Sequence, residues 1–182
     1  MFGTSPEIYR LAGTCPETSL PNRPHASDSS ASLSGGMATR NRTYVGKDML
    51  ETSMRPEEAF RIRIENINFK QKTNLNPFGK TEAARRVIPM TDDNASLLKA
   101  RVEKAEKKNS PFVFPSPFDI QKPIDSVKKT HRSAAERAGI EGHFRLYDLR
   151  HTFATRAVAA GTDLPTLSSL LGYTSILMTM RY

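Results

Sequence analysis

The sequence is poor in cysteine and in acidic residues, and it has no long apolar run. Its 182 residues include one cysteine, Cys15, which excludes an internal disulfide and a cysteine-rich metal site. No apolar stretch approaches the ~18 residues of a membrane span, and the N-terminus lacks the basic-then-apolar layout of a signal peptide. We therefore expect a cytoplasmic protein in a reducing compartment.

Acidic residues are outnumbered by basic ones. The chain has 27 Lys and Arg against 19 Asp and Glu, which gives a formal net charge of +8 and a sequence pI of about 9.8. This surplus favours a polyanionic partner, with nucleic acid ahead of an acidic membrane surface. The alternative is that the charge only keeps the protein in solution. From composition alone, we give this interpretation and polyanion binding about equal weight.

Residues 1–43 differ in composition from the rest of the chain. Gly, Ser, Pro and Thr dominate, as in SLPNRPHASDSSASLSGG, and apolar periodicity is missing. Such a segment buries too little apolar surface to offset its ordering entropy. We predict a disordered low-complexity tail over residues 1–43 and one structured domain over residues 45–182.

The end of the chain, residues 144–182, has the densest local pattern. Apolar residues that share one helical face are Leu146, Leu149, Phe153, Ala157 and Ala160. Gly161 should end this helix, Asp163 can cap a second one, and Gly172 should end that helix in turn. Thr174 or Ser175 can cap a third, short helix that runs to the last residue.

The first part of the domain predicts two short helices separated by a turn. Asp48 can cap the first helix, which should end by Ser53. Arg55 precedes Pro56, and a residue before proline is displaced from the helical region. We therefore expect Arg55 in a tight turn, from which its side chain can point into a cleft, followed by a helix over residues 57–61.

Three extended runs come next and predict a small antiparallel sheet. They lie around Ile62–Phe69, Thr73–Phe78 and Arg85–Met90. The turn over residues 79–84 should lift Lys80 away from the sheet. A lysine at such a place is most often a solvated charge that discourages edge pairing.

Two longer helices complete the pattern. Thr91 or Asp92 can cap one, and Asp119 or Pro123 leads into the other, which Gly139 should close. The residues expected to face inward on this second helix are Ile124, Val127, Ala134, Ala135 and Ala138. Its outer face has Lys128, Lys129, His131, Arg132 and Arg137. Such a face is usually only solvated, but beside a phosphate-binding cleft it could contact a DNA backbone.

Tyrosine and arginine residues near the end of the chain suggest phosphate chemistry. Tyr147 and Arg150 stand three apart and share a helical face. A guanidinium offers a planar fork of donors suited to phosphate oxygens. Tyr173 follows a glycine, and Tyr182 is the last residue. Either tyrosine has a phenolic oxygen that could act as the nucleophile in phosphate chemistry. From residue types alone, a solvated arginine and packed tyrosines remain the commoner interpretation.

The order and spacing of these residues are specific. The strings YDLRHTFAT (147–155), LGYTSI (171–176) and MTMRY (178–182) closely resemble the catalytic domain of tyrosine recombinases of the phage integrase family. TSMRPEEA (52–59) resembles the family's first box, T-G-x-R-P-x-E-A. The segment from Gly79 to Met90 resembles its β-hairpin, and VFPS (113–116) matches more weakly.

The resemblance implies a fold and a mechanism. The fold would be α+β and mainly helical, with a small three-stranded antiparallel sheet. Arg55 and Arg150 would hold one DNA phosphate, Tyr182 would attack phosphorus to give a 3′-phosphotyrosine link, and Lys80 would protonate the departing 5′ oxygen. The partner would be double-stranded DNA, with a homo-oligomer assembled on it. No metal, no small-molecule cofactor and no membrane is implied.

The sequence departs from the family pattern at several positions. Tyr147 replaces the usual histidine of H-x-x-R, and Tyr173 replaces a later His or Trp. A tyrosine can hydrogen-bond a phosphate oxygen but is a poor general base near neutral pH. Ser53 replaces a glycine, so a left-handed backbone there would cost about 1 kcal/mol. His151 lies about 100° around the helix from Arg150, and we interpret it as structural.

The resemblance also implies that the chain lacks the family's first helices, its N-terminal core-binding domain and any C-terminal extension. We therefore expect site-specific recombination or integration activity that is weak, with DNA bound but cleaved poorly. The alternatives are a non-catalytic DNA-binding module, with residues 163–182 as a helix-turn-helix, and an inactive integrase remnant. A nicking topoisomerase shares the chemistry, but the first box and the RHTFAT string favour an integrase.

Overall fold

The computed structural model describes residues 44–79, 81–140, 142 and 144–182. The α-helices are α1 (residues 44–52), α2 (Pro56–Phe60), α3 (Asp92–Glu106), α4 (Lys128–Arg137), α5 (Asp148–Ala159) and α6 (Leu164–Leu171). The strands are β1 (Ile67–Asn68), β2 (Thr73–Asn76) and β3 (Arg86–Pro89). The predicted α+β, mainly helical architecture is therefore confirmed. The predicted tail over residues 1–43 lies outside the described residues.

The three strands form one antiparallel sheet, as predicted, and their order in the sheet is β1-β2-β3. The Asn76 amide closes the β2–β3 hairpin by donating to the carbonyls of Phe78 at 2.9 Å and Ala84 at 2.8 Å. The prediction was wrong for Ile64, which begins a 3-10 turn over Ile64–Asn66 and is not in a strand. Alternating isoleucines indicate a buried face, and a short turn can bury that face as a strand does.

Helix caps follow the sequence signals at Thr91, Asp163 and Gly172 but not at Asp48. The Thr91 side chain accepts from the backbone of α3, and the Asp163 side chain accepts from the backbone of α6. Gly172 ends α6 in the left-handed region, at φ 64°. The cap predicted at Asp48 is wrong, because α1 already covers residue 44 and places Asp48 inside the helix, where it is fully buried.

The helix that contains the basic run begins later than predicted. Ile124 and Val127 are buried, but they precede α4. Ala134 and Ala138 are exposed and not inward-facing. Alanine carries little apolar surface, so the free energy gained by burying it is too small to fix the orientation of a helix. The lysines and arginines of α4 therefore lie on a helix that has no fully buried residue.

The third helix predicted after Gly172 is also different. The chain forms only a 3-10 turn over Ile176–Met178, with Ser175 capping it through an acceptor contact to the Leu177 amide at 3.3 Å. The apolar side chains that would have formed a helical face are exposed, and Thr179 is the buried residue of this segment. Without a buried apolar stripe, a short segment gains little from continuing as an α-helix.

Buried apolar side chains form two clusters. The first joins α1, α2, β3, α3 and the segment that precedes α4; its members are Val45, Met49, Met54, Ala59, Phe60, Ile62, Ile88, Met90, Leu98, Val102, Val113, Phe114, Ile124 and Val127. The second joins α5 and α6 through Phe153, Ala154, Ala157, Leu167, Leu171 and Tyr173. Within the described ranges, no helix is long and apolar enough to cross a membrane.

Candidate active site

Arg55 occupies the turn that its position before proline predicts. Its backbone is extended (φ −69°, ψ 153°), and its side chain is 30% exposed. Glu58 accepts from the Arg55 guanidinium at 2.8 Å and from its backbone amide at 3.0 Å, which fixes the start of α2. Burial opposes the charge of Arg55, but the Glu58 carboxylate outweighs it and raises the pKa of Arg55. The guanidinium is therefore held in place while part of it stays accessible.

Arg86 anchors the other side of Glu58. Both side chains are 8% exposed, and the Arg86 guanidinium donates to the two Glu58 oxygens at 3.3 and 3.2 Å. Its Nε donates to the Leu170 carbonyl at 2.9 Å, so β3 is tied to the end of α6. A Cβ at Gly172 would lie 2.9 Å from the Arg86 guanidinium, which explains the glycine there. Burial raises the pKa of Glu58, but Arg86 more than compensates and lowers it.

Arg150 is fully buried at the start of α5. Its guanidinium donates to the Ser53 carbonyl at 2.5 Å and to the Leu171 carbonyl. Burial first, and then the like charge of Arg55, lower the pKa of Arg150. An arginine still keeps its proton at neutral pH, so this is a fixed buried positive charge. The sequence predicts a fork open to phosphate, whereas backbone carbonyls engage part of that fork.

Tyr173 lies between the two predicted arginines. Its ring centroid is 5.2 Å from the Arg150 guanidinium and 5.9 Å from that of Arg55. Its hydroxyl accepts from Arg181 at 2.9 Å. Burial alone would raise the pKa of Tyr173, but Arg150 and Arg181 outweigh it and lower the pKa. The residue that replaces the family's later His or Trp is therefore a phenol held among three guanidinium groups.

The hydroxyl of Tyr182 reaches this cluster from the end of the chain. It lies 2.6 Å from His151 Nδ1 and 3.4 Å from the Arg181 guanidinium. Burial first, and then a hydrogen bond with Tyr173, raise the pKa of Tyr182. The hydroxyl therefore sits beside His151, Tyr173 and Arg181 and is less acidic than an ordinary phenol.

Tyr147 lies between the two arginines and the histidine. Its ring is 6.0 Å from the Arg150 guanidinium and makes an edge contact with the His151 ring at 5.5 Å. It also lines a pocket of about 840 Å³ together with Arg55. The tyrosine that replaces the family histidine thus faces the same site, but the residue of α5 that contacts the Tyr182 hydroxyl is His151.

Lys80 lies outside the described residues, so its predicted place beside the site stays a prediction. Its neighbours Gly79 and Thr81 line the same pocket as Arg55. A Cβ at Gly79 would lie 2.4 Å from that of Ala84, so the close approach within the hairpin requires glycine. The hairpin therefore borders the pocket on both sides of residue 80.

The described site residues fall into two groups. We call Arg55, Glu58, Arg86 and Arg150 the arginine side, and His151, Arg181 and Tyr182 the nucleophile side. Tyr147 and Tyr173 contact members of both groups. Of the six residues predicted from sequence, the five described ones, Arg55, Tyr147, Arg150, Tyr173 and Tyr182, thus come together.

Sequence reasoning missed three contributors. His151 was interpreted as structural, yet it is within hydrogen-bond distance of the predicted nucleophile. Arg181 and Arg86 were not singled out at all. Adjacency to Tyr182 could have indicated Arg181, but no local pattern indicates which carboxylate Arg86 contacts. In the part of the chain that the structure describes, no group of three or more His, Cys, Asp or Glu side chains could hold a metal ion.

The chain belongs to the phage integrase family, whose model matches residues 31–182. It is 24% identical over 125 residues to the tyrosine recombinase XerC of Chlamydia pneumoniae, covering 66% of this chain and 40% of that protein. It is 30% identical over 145 residues to XerD of Shewanella oneidensis, covering 75% and 48%. It is also 26% identical over 160 residues to XerD of Listeria innocua, covering 85% and 53%. The chain therefore spans about half the length of these relatives.

Solved structures share the fold. The XerA recombinase has a TM-score of 0.66 at 20% identity, over 89% of this chain and 61% of that one. The Tn1549 transposon integrase in complex with transposon right end DNA has a TM-score of 0.67 at 15% identity, over 94% and 64%. The XerH recombinase in a post-cleavage complex with difH substrate has a TM-score of 0.66 at 22% identity, over 84% and 43%.

Proposed function

We propose that this chain cleaves and rejoins double-stranded DNA as a site-specific tyrosine recombinase, through a 3′-phosphotyrosine intermediate. The observation that carries the proposal is the placement of the Tyr182 hydroxyl in one cluster with two guanidinium groups, Arg55 and Arg150, which both contact the Tyr173 ring. The names of the relatives, tyrosine recombinases and an integrase bound to transposon DNA, support the same substrate class.

The two arginines would act differently. Arg55 is partly exposed and lines the pocket, so it would contact the scissile phosphate directly. Arg150 is buried and would stabilise the negative charge of the transition state from inside the protein. Its guanidinium would not need to reorganise as the transition state forms. Tyr182 would then attack phosphorus, and Lys80 would protonate the 5′ oxygen that leaves. Because the covalent link keeps the bond energy, another strand's 5′-hydroxyl could reverse the step without ATP.

The basic side chains of α4 would contact the DNA backbone away from the cleaved phosphate. Lys128, Lys129, Arg132 and Arg137 lie on a helix with no fully buried residue, and a pocket of about 810 Å³ lies along this helix. Phosphate contacts of this kind fix position without reading sequence, so binding should weaken steeply with salt. A cytoplasmic location and a homo-oligomer on DNA belong to the same proposal.

A nicked duplex that traps the covalent intermediate tests the proposal. The substrate is a pool of nicked duplexes with randomised sequence around the nick. After cleavage, the short fragment between the cleaved phosphate and the nick diffuses away, which leaves the covalent intermediate trapped. We expect the parent chain to form a DNA adduct that survives detergent and heat, and we expect slow formation. Tyr182→Phe should bind the pool but form no adduct, whereas Tyr44→Phe, which alters a ring in contact with Arg101, should behave as the parent does. Equal adduct formation by Tyr182→Phe would contradict the proposal.

A further inference from the structure

The contact between His151 and Tyr182 joins α5 to the end of the chain. Nδ1 of the imidazole lies 2.6 Å from the phenolic oxygen, and the ring centroids are 5.6 Å apart. One residue before His151 is Arg150, whose guanidinium is fixed by two backbone carbonyls. The position of the imidazole is therefore set by the same rigid helix start that fixes the buried positive charge.

The other polar groups near the Tyr182 hydroxyl are poor proton acceptors. Arg181 can only donate, and it donates to the Tyr173 hydroxyl. Tyr173 is a phenol whose oxygen already accepts a hydrogen bond from Arg181. The imidazole is the one neighbour in direct contact that can accept a proton with a nitrogen lone pair, among the residues described around this hydroxyl.

The surroundings of His151 favour the neutral form of its ring. Burial and the positive charge of Arg181 lower the pKa of His151, and Asp148 opposes them only in part. The charged and titratable groups that face the ring are Arg145, Tyr147, Asp148, Arg150, Arg181 and Tyr182. A neutral ring with its proton on Nε2 presents the Nδ1 lone pair to the phenol.

We infer that His151 is the general base that takes the proton from Tyr182 as it attacks the DNA phosphate. This inference rests on the proposed function. In the forward step the phenolic proton moves to Nδ1 and the Tyr182 oxygen bonds to phosphorus. The bond from phosphorus to the 5′ oxygen breaks, and that oxygen leaves as a hydroxyl with the proton that the proposed function assigns to Lys80. In the reverse step the imidazolium returns the proton as the tyrosine leaves.

The proton transfer gains its driving force from the attack itself. A free phenol with a raised pKa would not give its proton to a weakly basic imidazole. As the bond to phosphorus forms, negative charge leaves the phenolic oxygen, so its proton becomes more acidic in the transition state. A positioned base of this kind contributes about 10²-fold to 10⁴-fold to a rate.

The pH dependence of single-turnover cleavage tests the inference. For the parent chain, the rate should rise with pH as the imidazole loses its proton, with a midpoint below the ordinary histidine value of 6.5, and should then level off. His151→Gln keeps a hydrogen-bond acceptor but no base, so its rate should fall about 10²-fold or more and keep rising through pH 9. Added imidazole should partly restore the cleavage rate of His151→Ala, because it can enter the space that the missing side chain leaves.

A modified substrate separates this role from that of Lys80. A 5′-bridging phosphorothiolate has a leaving group that needs no proton. It should therefore rescue Lys80→Ala but leave His151→Gln slow. Glu103→Gln on α3 is a control for surface change, and it should keep the parent rate and pH profile on both substrates.

Nitrogen NMR of the histidine rings tests the contact without any DNA. Tyr182→Phe should shift the Nδ1 resonance of His151 and leave His131, which contacts the Phe144 carbonyl, unchanged. An unshifted His151 would overturn the inference. So would a parent chain that cleaves while His151→Gln keeps its pH profile. A parent chain that forms no adduct at all would overturn the proposed function and this inference with it.

Discussion

On the arginine side, long side chains from distant parts of the sequence donate to backbone carbonyls inside the protein. Arg150 binds the Ser53 carbonyl, and Arg86 binds the Leu170 carbonyl. On the nucleophile side, Arg181 is exposed and Tyr182 is partly buried, and the contacts of the Tyr182 hydroxyl are with side chains. The positions of Arg86 and Arg150 therefore depend on backbone carbonyls of the folded core. The Tyr182 ring packs against the second apolar cluster, but its hydroxyl is positioned by side-chain contacts.

This difference predicts that substitutions on the two sides have separable effects. A change on the arginine side should lower the stability of the whole domain, because buried groups lose their partners. A change on the nucleophile side should alter the chemistry and leave stability nearly unchanged, since exposed contacts contribute little.

The largest expected effect is that of Arg150→Met. Methionine keeps an apolar stem but leaves two buried carbonyls without donors, so the free energy of unfolding should fall by about 3 kcal/mol. The matched change Arg181→Met should stay within about 0.5 kcal/mol. Urea unfolding followed by circular dichroism measures both. Similar losses for the two variants would contradict the distinction between the sides.

Glu58→Gln should have the next largest effect. It removes the carboxylate that holds Arg86 and Arg55, and it should lower the free energy of unfolding by about 2 kcal/mol at pH 7. The folded pKa of Glu58 lies below its ordinary value, so its contribution is present above pH 4.5 and is lost as pH falls through the folded pKa. The variant should therefore lose less stability than the parent on acidification.

The exposed neighbour Glu57 provides the control for that experiment. Glu57→Gln should leave the free energy of unfolding, and its dependence on pH, close to those of the parent chain. An equal loss for the two substitutions would mean that the contacts of Glu58 contribute no more than a surface charge does.

Asp48→Asn should stabilise the protein. Asp48 is fully buried against Asn94, with one oxygen unpartnered among the described residues, and burial raises its pKa to about 7. Its folded pKa lies above the unfolded value, so ionisation costs stability increasingly between pH 4 and 7. Asparagine avoids that cost, and we expect a gain of about 2 kcal/mol at pH 8 and little change at pH 4. Thermal unfolding at the two pH values checks this, and an equal shift at both would contradict it.

The smallest effect concerns Ser53, whose φ of 60° places it in the left-handed region. Ser53→Gly relieves the backbone strain but loses the hydrogen bond to the Leu170 carbonyl, so it should be nearly neutral. Ser53→Ala loses the bond and keeps the strain, so it should unfold about 1 kcal/mol more easily than the glycine variant. Equal stabilities of the two variants would show that the left-handed backbone at residue 53 has no measurable free-energy cost.

Local sequence signals were sufficient where the structure is determined locally. The turn at Arg55, the caps at Thr91 and Asp163, and the end of α6 at Gly172 all follow from residues within four positions. Ser53, which stands at the family's glycine position, has the left-handed backbone that glycine adopts most easily.

The sequence failed where a side chain's environment comes from distant residues. His151 contacts Tyr182 although the two are 31 positions apart, because the segment after Gly172 returns to α5. Helical periodicity placed His151 away from Arg150 correctly, but it could not say what would occupy the other face. The same reason explains Asp48, for which the local pattern predicts a cap and which is buried against α3.

The most direct test of the central claim locates the covalent bond. The DNA adduct formed by the parent chain is digested at aspartate, which releases one peptide from Asp163 to the end of the chain with both Tyr173 and Tyr182 in it. Fragmentation by mass spectrometry then assigns the nucleotide to one of the two tyrosines. We predict that it is attached to Tyr182. Attachment to Tyr173, or to a residue outside this peptide, would contradict the account.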